Sequence, residues 1–185
     1  MNKQPDRRIR TRGDIMDAFC ILYRQNPIDK ITVSQVIETA GYNRSTFYRY
    51  FDSVYDILDA IENEIFDQWE TYQTVILGNL SDFTAIIEQF YQDNDRYLST
   101  LLNSLNSPLY VDKFKQRLQS SLETLFQVDD SDPEKHFILE FYIAGAFSTI
   151  TTWYKSGKLI SSEQLAEMIR KTYSEKVFQI LGDMQ

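Results

Sequence analysis

The stretch Ile31–Phe51, ITVSQVIETAGYNRSTFYRYF, decides the fold of this chain. Val33, Val36, Ile37 and Ala40 fall at i, i+3, i+4 and i+7, the spacing of one apolar stripe on an α-helix. Thr32 stands just ahead of them, where a hydroxyl caps free N–H groups. Gly41 follows Ala40 and suits the positive φ that ends a helix and turns the chain sharply. Asn43 is placed to cap a second helix, on which Phe47, Tyr50 and Phe51 share a face that packs back on the first. Arg44, Ser45, Tyr48 and Arg49 then point outward. Such a face has donors for phosphates and base edges, and a helix of this kind is built to enter the major groove of DNA. The same pattern also describes a solvated helical hairpin of an ordinary bundle.

Outward from this stretch, helical spacing dominates and no alternating strand is evident, so the chain reads as all-α. A first helix covers about Arg7–Arg24, with Ile15, Ala18, Phe19 and Leu22 inward, and Pro27 ends it. Asp52 or Ser53 opens a long helix through Ile57, Leu58, Ile61, Ile65 and Trp69 toward Leu77. Helices then read as Asp82–Tyr91, Asp95–Leu105 and Pro108–Phe126, with Gln127–Pro133 a loop. Two strong helices, Pro133–Lys155 and Ser161–Leu181, follow.

The Ile31–Phe51 segment closely resembles the helix-turn-helix of the TetR family of bacterial transcription regulators. The resemblance is carried by Thr32, Val36–Ile37, Ala40–Gly41–Tyr42–Asn43, the run Ser45–Phe51 and Leu58. There are two departures. Tyr50 stands where His is frequent, and Val54 stands where a Lys commonly reaches the phosphate backbone, which removes one expected phosphate contact. The resemblance implies an N-terminal three-helix DNA-binding domain, residues 1–52, and a C-terminal helical bundle for effector binding and dimerisation, residues 53–185. It also implies a homodimer on a palindromic operator of double-stranded DNA, with repression as the usual mode. Arg44, Ser45, Thr46 and Arg49 are the candidates for the groove, and Thr32, Tyr48 and Tyr50 for phosphates. The alternative is an activator or co-regulator of the same fold working through a protein partner.

Charge supports a divided molecule. The 185 residues carry a net charge of −8, yet residues 1–51 hold nine Lys/Arg against five Asp/Glu. The remainder is strongly acidic. A basic block on an acidic body is the asymmetry expected when one part meets DNA. Arg7, Arg8, Arg10 and Arg12 read either as a phosphate-seeking basic arm or as a solubilising tail. No apolar run approaches the ~20 residues of a membrane span. The N-terminus also lacks an apolar signal core, so a cytoplasmic protein is expected. Cys20 is the sole cysteine and lies in an apolar helical pattern, as a buried structural thiol does.

The last two helices carry the second expectation. Leu139, Tyr142, Ile143, Ala146, Phe147, Ile150 and Trp153–Tyr154 leave the penultimate helix little polar surface. A helix apolar on most sides is buried on most sides. The pair is expected to meet its two-fold mate as a four-helix bundle, with Phe147, Ile150, Tyr154, Ile169 and Tyr173 at the seam. TetR relatives dimerise in this way. Twelve Tyr, twelve Phe and two Trp supply the body with aromatics. Trp69, Tyr72, Tyr91, Tyr142 and Phe147 are candidates for an effector pocket, although an aromatic at helical spacing is more often core. No catalytic group, metal site or cofactor motif is evident. His136 is the only histidine, there is no phosphate loop or nucleophile elbow, and no enzyme is expected.

Overall fold

The computed structural model describes residues 4–78, 83–103, 107–125, 127–128 and 133–174. Among them the chain forms eight α-helices and no strand. α1 (Gln4–Tyr23) leads through a 3₁₀ turn (Ile28–Lys30) into α2 (Val33–Ala40) and α3 (Arg44–Phe47). The body consists of α4 (Val54–Gly78), α5 (Phe83–Asn103), α6 (Ser107–Leu125), α7 (Pro133–Lys155) and α8 (Ser162–Ile169), which runs into a wider π-helical turn, Arg170–Ser174. No helix among the described residues is long and apolar enough to cross a membrane.

The apolar stripes read from the sequence do the packing. On α1, Ile15 and Phe19 are fully buried, and the Phe19 ring stacks on Tyr23 at 5.2 Å. Val36, Phe47 and Phe51 close the same small core from α2, α3 and the segment after it. On α4, Ile57, Ile61 and Ile65 recur every fourth residue and are each 0% exposed, so one stripe of this helix is lost to water along its length. Each such side chain contributes about 1.5–3 kcal/mol by its burial. The helix starts cleanly. Ser53 Oγ accepts the Asp56 N–H at 3.2 Å, and the Asp56 carboxylate accepts the Asp52 N–H at 3.0 Å, a reciprocal cap that also puts an acid at the positive helix end.

Two helix boundaries differ from the expectation. The polar run Gln92–Asp95 does not break the chain into two helices; α5 continues through it. Asn94 is buried, with Nδ2 donating to Phe90 O at 3.0 Å and across to Gln68 Oε1 of α4 at 2.8 Å. A polar residue whose donors are satisfied inside a helix pair stays in the helix. The last helix is regular only to Ile169, and the expected positions Val177, Ile180 and Leu181 lie outside the described residues. The α7–α8 corner matches its chemistry. Gly157 (φ 77) ends α7, Trp153 Nε1 donates to Ile160 O at 2.7 Å, and Ser161 and Gln164 form a capping box.

Polar bonds fasten the first three helices to the body. Arg96 of α5 reaches Asp17 of α1 at 2.5 Å, and Arg24 Nε donates to Thr100 Oγ1 at 3.0 Å. Arg12 pairs with Glu64 of α4. Beneath them Cys20 is buried, and burial pushes its thiol up to about 11, which suits a structural thiol rather than a reactive one. Ile61→Ala removes a fully buried side chain from the middle of the α4 stripe. The variant is expected to unfold with about 2–5 kcal/mol less free energy in a urea titration; a loss below about 0.5 kcal/mol, the size of an ordinary surface substitution, contradicts this packing.

Candidate nucleic-acid interface

Local chemistry sets the reading head. Thr32 Oγ1 accepts the Gln35 N–H at 3.3 Å, while Gln35 Oε1 accepts the Thr32 N–H at 2.8 Å, so α2 begins with both ends of a capping box satisfied. Gly41 then takes the left-handed conformation, φ 72, and the Tyr42 N–H returns to Ile37 O at 3.0 Å. Asn43 Oδ1 accepts from Thr46 N at 2.9 Å and from Ser45 Oγ at 2.8 Å, which starts α3. Tyr42 OH donates to Asp14 Oδ2 at 2.7 Å, so the turn is held against α1.

The second helix is shorter than its pattern suggests. Only Arg44–Phe47 is regular α-helix. Beyond it the Arg49 and Tyr50 N–H groups bond three residues back, to Thr46 O at 3.3 Å and Phe47 O at 2.9 Å, the tighter 3₁₀ spacing. The reason is packing: Phe47 and Phe51 are both buried, their rings 6.1 Å apart, and the last turn tightens to bring both onto the core.

The seven sequence candidates fall as follows. Thr32, Arg44, Ser45, Tyr48 and Arg49 are exposed, Tyr48 by 52%. Thr46 and Tyr50 are half-buried. Arg44, Ser45, Tyr48 and Arg49 therefore form one outward strip, facing away from Val36 and Phe47. Ser34 was missed by the sequence reading. It is exposed on α2 and its Oγ accepts from Arg44 Nη2 at 3.4 Å, joining the two helices on their outer side. Its signal was available, since it lies off the Val33–Ala40 stripe. Val54 is buried, 6% exposed, so this position serves the core. Arg7, Arg8 and Arg10 are exposed along α1. Arg12 is turned inward, paired with Glu64 and lying 5.5 Å over the Phe51 ring, and so does not belong to a basic arm.

The body candidates regroup. Trp69 and Tyr72 both meet Phe90 edge-on, at 5.3 and 5.6 Å, and Tyr91 adjoins the same ring at 6.0 Å. Phe147 packs on Phe114 at 5.2 Å, and Tyr142 lies edge-on to Phe141. Tyr72 OH donates to Asp93 at 2.6 Å, which with burial pushes the phenol up to about 12. These rings fill space against one another. A cleft of about 350 Å³ lies elsewhere, between α4 and α6, and none of the five lines it. Of the expected seam residues, Phe147, Tyr154 and Ile169 are at most 7% exposed within their own chain; α7 packs on α5, α6 and the Arg170–Ser174 turn. Ile150 is half-buried, and the Tyr173 side chain lies outside the described residues.

The geometry is that of a helix-turn-helix head carried on a helical body. Residues 15–61 match the model described as bacterial regulatory proteins, tetR family, and residues 78–175 match that of a transcriptional regulator C-terminal region. The chain belongs to the TetR family of transcriptional regulators. A solved structure described as a TetR transcriptional regulator from Streptococcus agalactiae 2603V is similar in fold. It is 21% identical with a TM-score of 0.60, and the match covers 92% of this chain and 97% of that one. Comparison with curated proteins found no match.

Gly41 has open space where a Cβ would stand, and its φ of 72 is the obstacle to any other residue. Gly41→Ala is expected to lose about 1–2 kcal/mol of stability through backbone strain alone. Chemical denaturation reads this, and an unchanged or higher stability contradicts a left-handed turn.

Proposed function

We propose that this chain is a cytoplasmic, dimeric, one-component repressor. It binds a palindromic operator through two copies of the α2–α3 head and answers to a small molecule held in the body. The observation that carries the DNA reading is the strip of exposed Arg44, Ser45, Tyr48 and Arg49 on a head whose other side is core. Arg44 and Arg49 read base edges, with Ser45 and Thr46 beside them. Thr32, Tyr48 and Tyr50 hold phosphates and set the register. The working division falls between Asp52 and Ser53, where the cap of α4 begins. Because α4 touches both α1 and α5, an effector in the body shifts the population of head positions that fit two half-sites.

Selection of genomic fragments by the purified protein at two salt concentrations tests this. One inverted repeat is expected to emerge, with affinity falling steeply as salt rises. Arg44→Ala is expected to lose about 1–3 kcal/mol of binding and to relax preference at one base position. Fragments without a shared motif overturn operator recognition and move weight to a protein partner.

Dimerisation finds its support on a different side of α7 from the one read in the sequence. Phe137 and Phe141, one turn apart, are 70% and 68% exposed, and an aromatic pair this open is a surface for a mate. A two-fold copy of α7 covers it. The double variant Phe137→Asp, Phe141→Asp is expected to sediment as a monomer and to lose binding to the full repeat, while its helical content stays unchanged. A variant that remains dimeric puts the seam elsewhere.

A further inference from the structure

The cleft between α4 and α6 has a buried acid at its side and an aromatic ring in its wall. Glu62 is 7% exposed, although it is charged and faces a cleft of about 350 Å³. Its carboxylate accepts from Lys113 Nζ at 2.9 Å. Phe66, the ring in the wall, has the Arg117 guanidinium 4.0 Å from its centroid, and Arg117 also reaches Asn63 Oδ1 at 3.4 Å. Both features that attract a cation here, a desolvated carboxylate and an aromatic face, are thus filled by cations of the chain itself.

The two partners differ in mobility. Glu62 is held in the α4 packing between Ile61 and Ile65, both 0% exposed. The Lys113 side chain is 47% exposed, and Arg117 is also exposed. Long side chains of this kind swing into water at little cost, because their charge stays hydrated. What they uncover is fixed: an acid beside an aromatic wall, with the Asp59 carboxylate also lining the cleft.

Behind the wall the interior is polar in an unexplained way. Phe66 stacks on Phe114 at 4.4 Å, and Phe114 is also met by Tyr110 at 5.9 Å and by Trp69 at 6.3 Å. Trp69 Nε1 and Tyr110 OH are both buried with no hydrogen-bond partner. Tyr110 is 3% exposed and close enough to Glu62 for that charge, after burial itself, to raise its pKa. An unpaired buried donor costs about 1–3 kcal/mol; both donors lie behind the cleft wall rather than in its lining.

We propose that the α4–α6 cleft binds a flat organic cation, its ring against Phe66 and its ammonium group displacing Lys113 from Glu62. Trp69, which packs on Phe114 behind the Phe66 wall, lies close enough to report on occupancy without touching the ligand. The inference deepens, and rests on, the reading of the body as an effector domain. α4 carries the cleft at Glu62 and Phe66 and also packs on α1, so occupancy bears on the helix that joins head and body.

The test uses the full chain with ¹⁵N-labelled tryptophan. Its two indoles, Trp69 and Trp153, give two N–H signals, assigned with Trp69→Phe. Three probes share one ring and differ in charge: tryptamine (cation), tryptophol (neutral) and indole-3-propionate (anion). Tryptamine is expected to move the Trp69 signal saturably in the millimolar range or below and to leave Trp153, bonded to Ile160 O, in place. Glu62→Gln weakens it about tenfold, and Lys113→Gln, which removes the internal competitor, tightens it several-fold. A merely structural ion pair moves both variants the same way, and thermal melts separate any loss of folding. Indole-3-propionate binding as tightly, a Glu62→Gln variant with unchanged affinity, or no saturable shift with tryptamine overturns the proposal. Affinity for the selected operator fragment is read in the same samples. Tryptamine bound in the cleft without a change in that affinity keeps the cation site and removes its effector role.

Discussion

Along α4, Ile57, Ile61 and Ile65 lose all contact with water, and the same helix touches α1 on one side and α5 on the other. The reading head is therefore fastened to the body by a close-packed surface. Packed interiors move between discrete arrangements rather than stretching. In the proposed effector response, a change in how α5 or α6 sits on α4 is passed through the α1–α4 contact to the α2–α3 unit. The ion pairs Arg96–Asp17 and Arg12–Glu64 flank this surface. Both are partly exposed and contribute little to stability by themselves; their geometry fixes where α1 lies along α4 and α5.

The head itself is built from short-range chemistry. The Thr32–Gln35 box, the left-handed Gly41 and the Asn43 cap each act within four residues, and each satisfies backbone groups that a helix end leaves free. The head's tertiary requirement is modest: Phe47 and Phe51 need α1 to cover them. That requirement shortens α3, and the strip that faces outward is defined by what the two phenylalanines must bury.

The body is less regular in its logic. α7 is apolar nearly all round, but most of its sides are used within the chain, and only Phe137 and Phe141 are left bare. The aromatic rings crowd around Phe90 and Phe114, while the cleft between α4 and α6 is lined by charged side chains with Phe66 in its wall. The cleft proposed for the effector and the aromatic pair proposed for the dimer thus lie on different helices, α4 and α6 against α7.

Sequence alone determined the helix-turn-helix and its outward strip, because caps, a glycine turn and an i, i+3, i+4 stripe are written within a few residues of each other. It also gave most helix boundaries, including Pro133–Lys155 as observed. It misjudged Gln92–Asp95, where Asn94 Nδ2 reaches Gln68 of another helix as well as Phe90 of its own, and it left open which partners cover the apolar and aromatic faces of the body. The physical reason is the same in each case. An apolar or aromatic residue at helical spacing announces that it will be buried, but not by which partner. Whether Phe147 meets Phe114 or a second copy of the chain, and whether Glu62 opens on a cleft, depends on how α4 to α8 divide their faces. Only the tertiary structure decides that division.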